Sequence, residues 1–446
     1  MMTQEKTKKT GRVWAAAALV LVGLSMSQPS WAQRGEIAVK GGKIIPVAGD
    51  PIENGVILVR DGKITQIGQN LRIPLNARVI DATGKVVIPG LVVAHNTQGM
   101  DQENERNPEV AYTTVLDSVD TGQAYFDDCR RNGITSVAVV PGNNTRIGGQ
   151  AAVLKLRGTY VSDMILKRSA GIKISLGPVQ DESRMSHRNR LREALKEVRE
   201  YMKELEGKTG AAALPDVQRE AMCRLLKGEI PAMVYVPEPM DVAFALEFLK
   251  EYKLKGILVL GRDCYKAVDQ IAQSGLPVVL DSEMVFWERN ERTEEEKQVV
   301  VCQKFYEAGV KMTFQAGSGS PTGNLIGTNF MWFQAATAMK YGATAAEALR
   351  AITLTPAEML GVEKFVGSLE AGKDADMAIL SGDPLELNTW VETVIADGEV
   401  IYEMAEDKPL QLLLNKSDKG ATSMTNSESV EEVQVRQIKE KGERKG

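Results

Sequence analysis

VIPGLVVAHNTQGMD, residues 87–101, is the stretch on which the fold turns. An apolar, β-branched run passes through Pro89 and Gly90, continues as Leu91–Ala94 and ends on a single histidine, His95. A short apolar run bounded by Pro-Gly predicts a buried strand. Two positions later, where a second imidazole would complete a His-x-His pair, stands Thr97.

Similar runs recur downstream: GITSVAVV (133–140), GIKISLG (171–177), PAMVYV (231–236), GILVLG (256–261), LPVVL (276–280) and GVKMTFQ (309–315). Helical patterns lie between them, among them RNRLREALKEVREYMKEL (188–205) and DVAFALEFLKEYK (241–253). Buried strands alternating with amphipathic helices predict a parallel α/β sheet, and this many repeats suit a (β/α)8 TIM-like barrel over residues 88–371. A doubly wound open sheet is the rival. The flanks differ. VILVRDGKITQIG (56–68) reads as a hairpin turning at Asp61-Gly62, and TVIADGEVIYE (393–403) as another turning at Asp397-Gly398. Residues 33–87 and 372–414 are therefore expected to form one small β-sandwich from both chain ends. Lys373 and Asp374 are expected as surface charges of a turn into it. Residues 415–446, polar and without aromatics, read as a disordered tail, with a short surface helix as the alternative.

The extreme N-terminus has its own pattern. Lys6, Lys8, Lys9 and Arg12 precede an apolar run from Val13 to Met26, which ends near Ser30-Trp31-Ala32. That is the form of a secretory signal peptide over residues 1–32, and it predicts export to the periplasm or cell exterior. A retained anchor is the rival, but the run is shorter than the roughly 20 residues a span needs. Removing residues 1–32 takes away those four positive charges and Glu5, a net +3, so the formal charge of −5 becomes −8. Such a balance argues against nucleic acid or an anionic membrane as the main partner, and no stable membrane insertion is expected after cleavage. Cys129, Cys223, Cys264 and Cys302 are widely spaced in apolar or helical stretches and are expected to be buried thiols.

VIDATGKVVIPGLVVAH (79–95) resembles the opening of the amidohydrolase superfamily, in particular its imidazolonepropionase-like branch. TPAEMLGVEKFVGSLEAGKDADMAILSGDP (355–384) resembles the closing segment, and PGNNTRIGGQAAVLK (141–155) and RMSHRNRLREALKEVREY (184–201) resemble parts between. The resemblance implies one or two divalent ions at the C-terminal barrel mouth, activating a hydroxide. It also marks the places where ligands are replaced. The first strand gives His95 and Thr97, with Val93 for an aspartate. The fifth gives Tyr235, the sixth Leu260, and the eighth Gly317 to within one position.

The chain holds only two histidines, His95 and His187. His187 is expected on a helix surface or in helix packing. His95 alone cannot hold zinc tightly, so it is a weak metal candidate and a better hydrogen-bonding or ligand contact. Other polar groups at predicted strand ends are Asp101, Asn143, Asn144, Arg146, Glu238, Arg262, Asp263, Asp281, Glu283 and Ser318. Asp281 and Glu283, two apart, could together take a hard cation such as calcium, although solvated loop carboxylates are the plainer reading. Ser318 in AGSGSP lacks the spacing of a nucleophile elbow. GNNTRIGGQ could cradle an anion with Arg146, or merely close a strand connection. No cofactor is expected; zinc or another divalent metal is the alternative. The favoured expectation is a metal-free pseudoenzyme that binds a small molecule or a related subunit at the mouth, as a homo- or hetero-oligomer. The alternative is a divergent hydrolase of non-peptide C–N bonds, such as cyclic amides or N-acyl substrates.

Overall fold

The computed structural model describes residues 35–179, 181–206, 208, 216–315, 330–386 and 388–414. The leader at 1–32, the tail at 415–446, and Gly317 and Ser318 lie outside the described residues.

Five strands open the chain: β1 (Ile37–Ile44), β2 (Ile52–Arg60), β3 (Lys63–Gln69), β4 (Arg78–Asp81) and β5 (Val86–Pro89). The hairpin between β2 and β3 turns at Asp61 and Gly62, with φ of 51° and 80°. Two consecutive left-handed residues are what a tight two-residue hairpin demands, and Asp-Gly supplies them at little steric cost. Near the other end come β16 (Met377–Leu380), β17 (Val391–Ala396) and β18 (Glu399–Glu403), the last two joined at Asp397 and Gly398, with φ of 49° and 72°. The two groups meet where β5 pairs antiparallel with β16, Val87 opposite Ile379. All eight strands thus hydrogen-bond as one sheet rather than as the two stacked sheets of the expected sandwich. Val39, Ile57, Ile64, Val87, Met377 and Ile395 belong to its apolar core.

Between these groups lies a second eight-stranded sheet: β6 (Leu91–Asn96), β7 (Ile134–Val139), β8 (Ile147–Lys155), β9 (Ile165–Ser175), β10 (Ala232–Val236), β11 (Gly256–Leu260), β12 (Val278–Leu280) and β15 (Met312–Phe314). β13 (Val285–Arg289) and β14 (Glu296–Val300) form a separate hairpin between β12 and β15. The six apolar runs read as strands downstream of His95 all form strands. The sheet curls until β15 lies beside β6, giving a nearly closed barrel in a mixed α/β fold. It departs from a strict eightfold β/α repeat at one place, because β8 is antiparallel to both β7 and β9. The cause is length. Only residues 140–146 join β7 to β8, and a parallel return would need a crossover of a dozen or more residues.

Helices Arg184–Leu205 and Pro239–Tyr252 occupy the two segments read as helical. Their apolar stripes, with Leu191, Leu195, Phe244 and Phe248, join the core that surrounds the barrel. A smaller core fills its interior with Val92, Ala138, Val153, Met233, Ile257, Val259 and Val279. The four cysteines are buried free thiols. Burial pushes Cys129 and Cys264 up to about 12, so both are protonated at neutral pH. No helix among the described residues is long and apolar enough to cross a membrane.

Lys373 and Asp374 are not the surface charges expected of them. Asp374 is buried and accepts from Lys155 at 2.5 Å and from Lys63 at 2.6 Å, and the Lys373 ammonium donates to Ser368 Oγ. The turn lies where sheet and barrel meet, so its charges are consumed in that junction.

Candidate active site at the barrel mouth

Alternation along the strands decides what enters the barrel. On β9, Ile172 and Ile174 belong to the outer core, which leaves Lys173 and Ser175 for the interior. On β10, Met233 and Tyr235 pack with the inner core. The pairing of β6 with β7 is irregular between Val93 and Asn96, so His95 escapes simple alternation. Its Nε2 lies 2.8 Å from Lys173 Nζ. Gln315, immediately after β15, brings its side-chain amide within 3.2 Å of His95 Nδ1. The Lys173 ammonium sits 5.5 Å from the centroid of the Tyr235 ring, a cation–π contact. Three strands and the residue that follows a fourth thus contribute one polar side chain each to a single buried cluster.

Electrostatics make the cluster unusual. Lys173 and His95 are both fully buried. Burial lowers the Lys173 pKa from 10.5 to about 7, and the charge of Glu103 counters it only in part. Burial, and then the Lys173 charge, hold His95 well below its ordinary value, so its ring is neutral near pH 7. Tyr235 is raised by burial and by Asp281, and stays a phenol. Asp281, one residue beyond β12, is itself raised by burial.

Other expected residues lie elsewhere. Leu260 does not face the mouth. It packs in the outer core with Leu258, while Val259 takes the inward position. A Cβ on the next residue, Gly261, would come within 2.3 Å of the Pro237 carbonyl oxygen, so that place admits no side chain in this backbone. Thr97 is buried and lines a small cavity with Gln98, Met100 and Glu103. Arg146 is fully buried and spent on Glu109 (2.5 Å) and Glu182 (2.6 Å), so it is not free for an anion. Asn144 is exposed and uses its backbone N–H on Asn104, while Asn143 Oδ1 is buried without a partner. A Cβ on Gly142 or Gly149 would strike Asn104 or Thr113 at 2.5 Å, which makes the loop's glycines packing devices.

Asp281 and Glu283 do not converge. Asp281 accepts from the Glu283 backbone N–H, and the exposed Glu283 carboxylate pairs with Arg262 at 3.0 Å. Arg262 in turn lies over the Phe286 ring, so it anchors the β13–β14 hairpin. Asp101 is exposed and held by Ser118, Glu238 is exposed, and Asp263 pairs with Lys266. Of the two places expected for His187, it takes helix packing and not the surface: it is buried. Val179 N–H donates to its Nδ1 at 3.4 Å, and its Nε2 lies 2.9 Å from the Ser175 carbonyl, so the ring ties β9 to the following helix.

A divalent ion at the mouth would need about three protein ligands plus an open position. Among the described residues no three His, Cys, Asp or Glu side chains form such a group. Both nitrogens of His95 are engaged, one of them by an amine. As these side chains stand, the donor set does not fit a resident metal.

Lys173 and Gln315 were not singled out in the sequence. The signal was present in GIKISLG, where one lysine interrupts a run otherwise destined for burial. Gln315 had none beyond its place at a strand end.

The amidohydrolase family model matches residues 233–406. A dihydroorotase of Pelotomaculum thermopropionicum is 23% identical over 415 residues, covering 78% of this chain and 89% of that protein. A 5'-deoxyadenosine deaminase of Methanosarcina acetivorans is 41% identical over 68 residues, 15% of each chain. Among solved structures, an amidohydrolase from Thermotoga maritima superposes with a TM-score of 0.73 at 28% identity, covering 82% of this chain and all of that one.

Proposed function

We propose that this chain is an amidohydrolase-superfamily hydrolase that cleaves a non-peptide carbon–nitrogen bond at the barrel mouth, with the Lys173–His95 pair at its centre. The likeness to a dihydroorotase, a deaminase segment and an amidohydrolase structure supports this reading over the metal-free binding protein favoured from sequence. The observation that carries it is the buried Lys173 amine, 2.8 Å from His95, whose pKa falls to about 7 despite the opposing charge of Glu103. An amine that titrates near neutrality is suited to general base catalysis.

In this scheme neutral Lys173 takes a proton from water as the water oxygen bonds to the substrate's acyl or amidine carbon. The carbon–nitrogen bond then breaks, and the proton held by Lys173 passes to the leaving nitrogen. The Tyr235 hydroxyl, kept protonated by burial and by Asp281, donates to the developing oxyanion. The substrate is a small molecule; the net negative charge supports neither nucleic acid nor an anionic surface as partner.

The test is a screen of the purified protein against cyclic amides, cyclic ureides, aminopurines and N-acyl amino acids. Turnover is expected to rise with pH through about 7, because the neutral amine is the working form. Lys173→Met should lower kcat by about 100-fold or more with the fold retained. Absence of turnover on every class, with or without added zinc, would return the binding-protein reading to first place.

Export is part of the proposal, supported by the basic head and apolar run before Ala32. Expressed in a bacterial host, the protein should be recovered outside the cytoplasm with its N-terminus at or near Gln33. Met1 intact on a membrane-bound form would contradict it.

A further inference from the structure

We propose that Gln315 is a positioning residue that locks His95 in its Nδ1–H tautomer, so that the Nε2 lone pair holds Lys173 in place. The activity consequence rests on the hydrolase reading; the tautomer does not.

The argument starts from donors and acceptors. A neutral imidazole has one N–H and one lone pair. Lys173 Nζ lies 2.8 Å from Nε2, and a lysine in its charged form can only donate. While Lys173 is charged, Nε2 therefore accepts, and the ring proton falls on Nδ1. The group facing Nδ1 is the Gln315 side-chain amide, with its nitrogen at 3.2 Å. An amide nitrogen cannot accept, so the N–H at Nδ1 requires the oxygen end of that amide. A half-turn about the last side-chain bond exchanges the two ends at nearly constant shape. Gln315 is well held for this task, because Gln334 donates to its backbone carbonyl at 3.3 Å and β15 pairs with β12 up to Phe314.

The arrangement has a chemical purpose. With one N–H of Lys173 committed to His95, the amine is held in a fixed direction, and its lone pair is left free for a proton from water. In the opposite arrangement His95 would donate to that lone pair and occupy it. Gln315 thus decides, through His95, whether the amine can act as a base.

The chain's two histidines make a direct test possible. In full-length protein labelled with 15N at histidine, long-range proton–nitrogen spectra report which ring nitrogen carries the proton. His187 is the internal control. Its Nδ1 accepts from Val179 and its Nε2 faces a carbonyl, so it should read as Nε2–H in every variant. At about pH 6, where Lys173 is charged and His95 is still neutral, His95 should read as Nδ1–H. Gln315→Glu keeps an oxygen acceptor in nearly the same shape and should preserve that tautomer. Gln315→Met removes the acceptor and should shift His95 toward Nε2–H. Where the substrate screen has found turnover, Gln315→Met should lower kcat roughly tenfold or more with KM within about twofold. A wild-type His95 that reads as Nε2–H overturns the proposal, as does a folded Gln315→Met variant with the tautomer unchanged. Should the screen find no activity, the hydrolase reading falls while the spectra still decide this one.

Discussion

Lys173→Met is expected to melt several degrees above the unaltered protein at pH 6–7, even as it removes the group placed at the centre of the chemistry. Methionine fills a similar volume without asking the barrel interior to hold a charge. The folded-state pKa of about 7 lies below the ordinary 10.5, so folding disfavours the ammonium. Between those values the unfolded chain binds more protons than the folded one, and stability therefore rises with pH from about 7 to 10.5. Below pH 7 both states carry the charge and the burial cost is present in full. At about 1.4 kcal/mol per tenfold, the displacement corresponds to roughly 5 kcal/mol. Leaving the His95 Nε2 lone pair without its partner returns about 1–3 kcal/mol of that. The net gain for Lys173→Met is then on the order of 2–4 kcal/mol below pH 7, and it turns into a loss of about 1–3 kcal/mol near pH 10.5, where the burial cost is gone and only the orphaned lone pair remains. Thermal melts across this range check it. A variant that melts lower than wild type at pH 6–7 would mean that the ammonium has a folded-state partner strong enough to outweigh its burial.

The contrast between Lys173 and Leu260 shows what sequence could and could not deliver. The strands were legible because apolar β-branched runs must be buried, and the Asp-Gly turns because few other dipeptides accept two left-handed residues. Which residue of a strand faces inward is a question of phase, and phase is settled by packing. Taking Leu260 as the inward end of β11 missed by one residue, and a one-residue error in a strand moves a side chain to the opposite face. His95 was found because histidine is rare here. Lys173 was passed over because a lone lysine in an apolar run looks like an interruption until the interior position is known. The antiparallel β8 was hidden for a related reason: its residues are as apolar as those of a parallel strand, and only the short connection from Val140 to Arg146 betrays its direction. Junctions between parts of the fold were the least legible, because the partners of Asp374, Asp376 and Asp397 lie more than 200 residues away in the chain.

That junction carries the second large expected effect, a loss of about 3–5 kcal/mol in Lys155→Met. Lys155 ends β8 at the bottom of the barrel and is almost fully buried. Its ammonium meets Asp374 at 2.5 Å, Asp376 at 3.1 Å and Asp397, all from the C-terminal strands of the sheet and the turns beside them. Arg157 adds a second cation to Asp397. Burial works against the Lys155 charge, but the three carboxylates outweigh it and its pKa is raised. Burial also pushes Asp376 up, and Lys155 offsets this only in part. Removing the lysine leaves carboxylates facing one another in a low-dielectric seam, and the sheet should loosen from the barrel. The pH dependence separates this from an ordinary packing defect. In the wild type, Lys155 and Arg157 hold the Asp397 pKa down against burial, so its contribution is present above the usual carboxylate range and lost on acidification. In Lys155→Met the carboxylate pKa values should rise above their unfolded values. The variant's deficit should then shrink as pH falls from 7 toward 4, the reverse of the wild-type trend. Adding Asp376→Asn, which removes the most deeply buried charge, should recover part of the loss at pH 7. A single variant that melts within about a degree of wild type at pH 7 would show that the seam is held by its apolar contacts alone, with the ion cluster contributing nothing measurable.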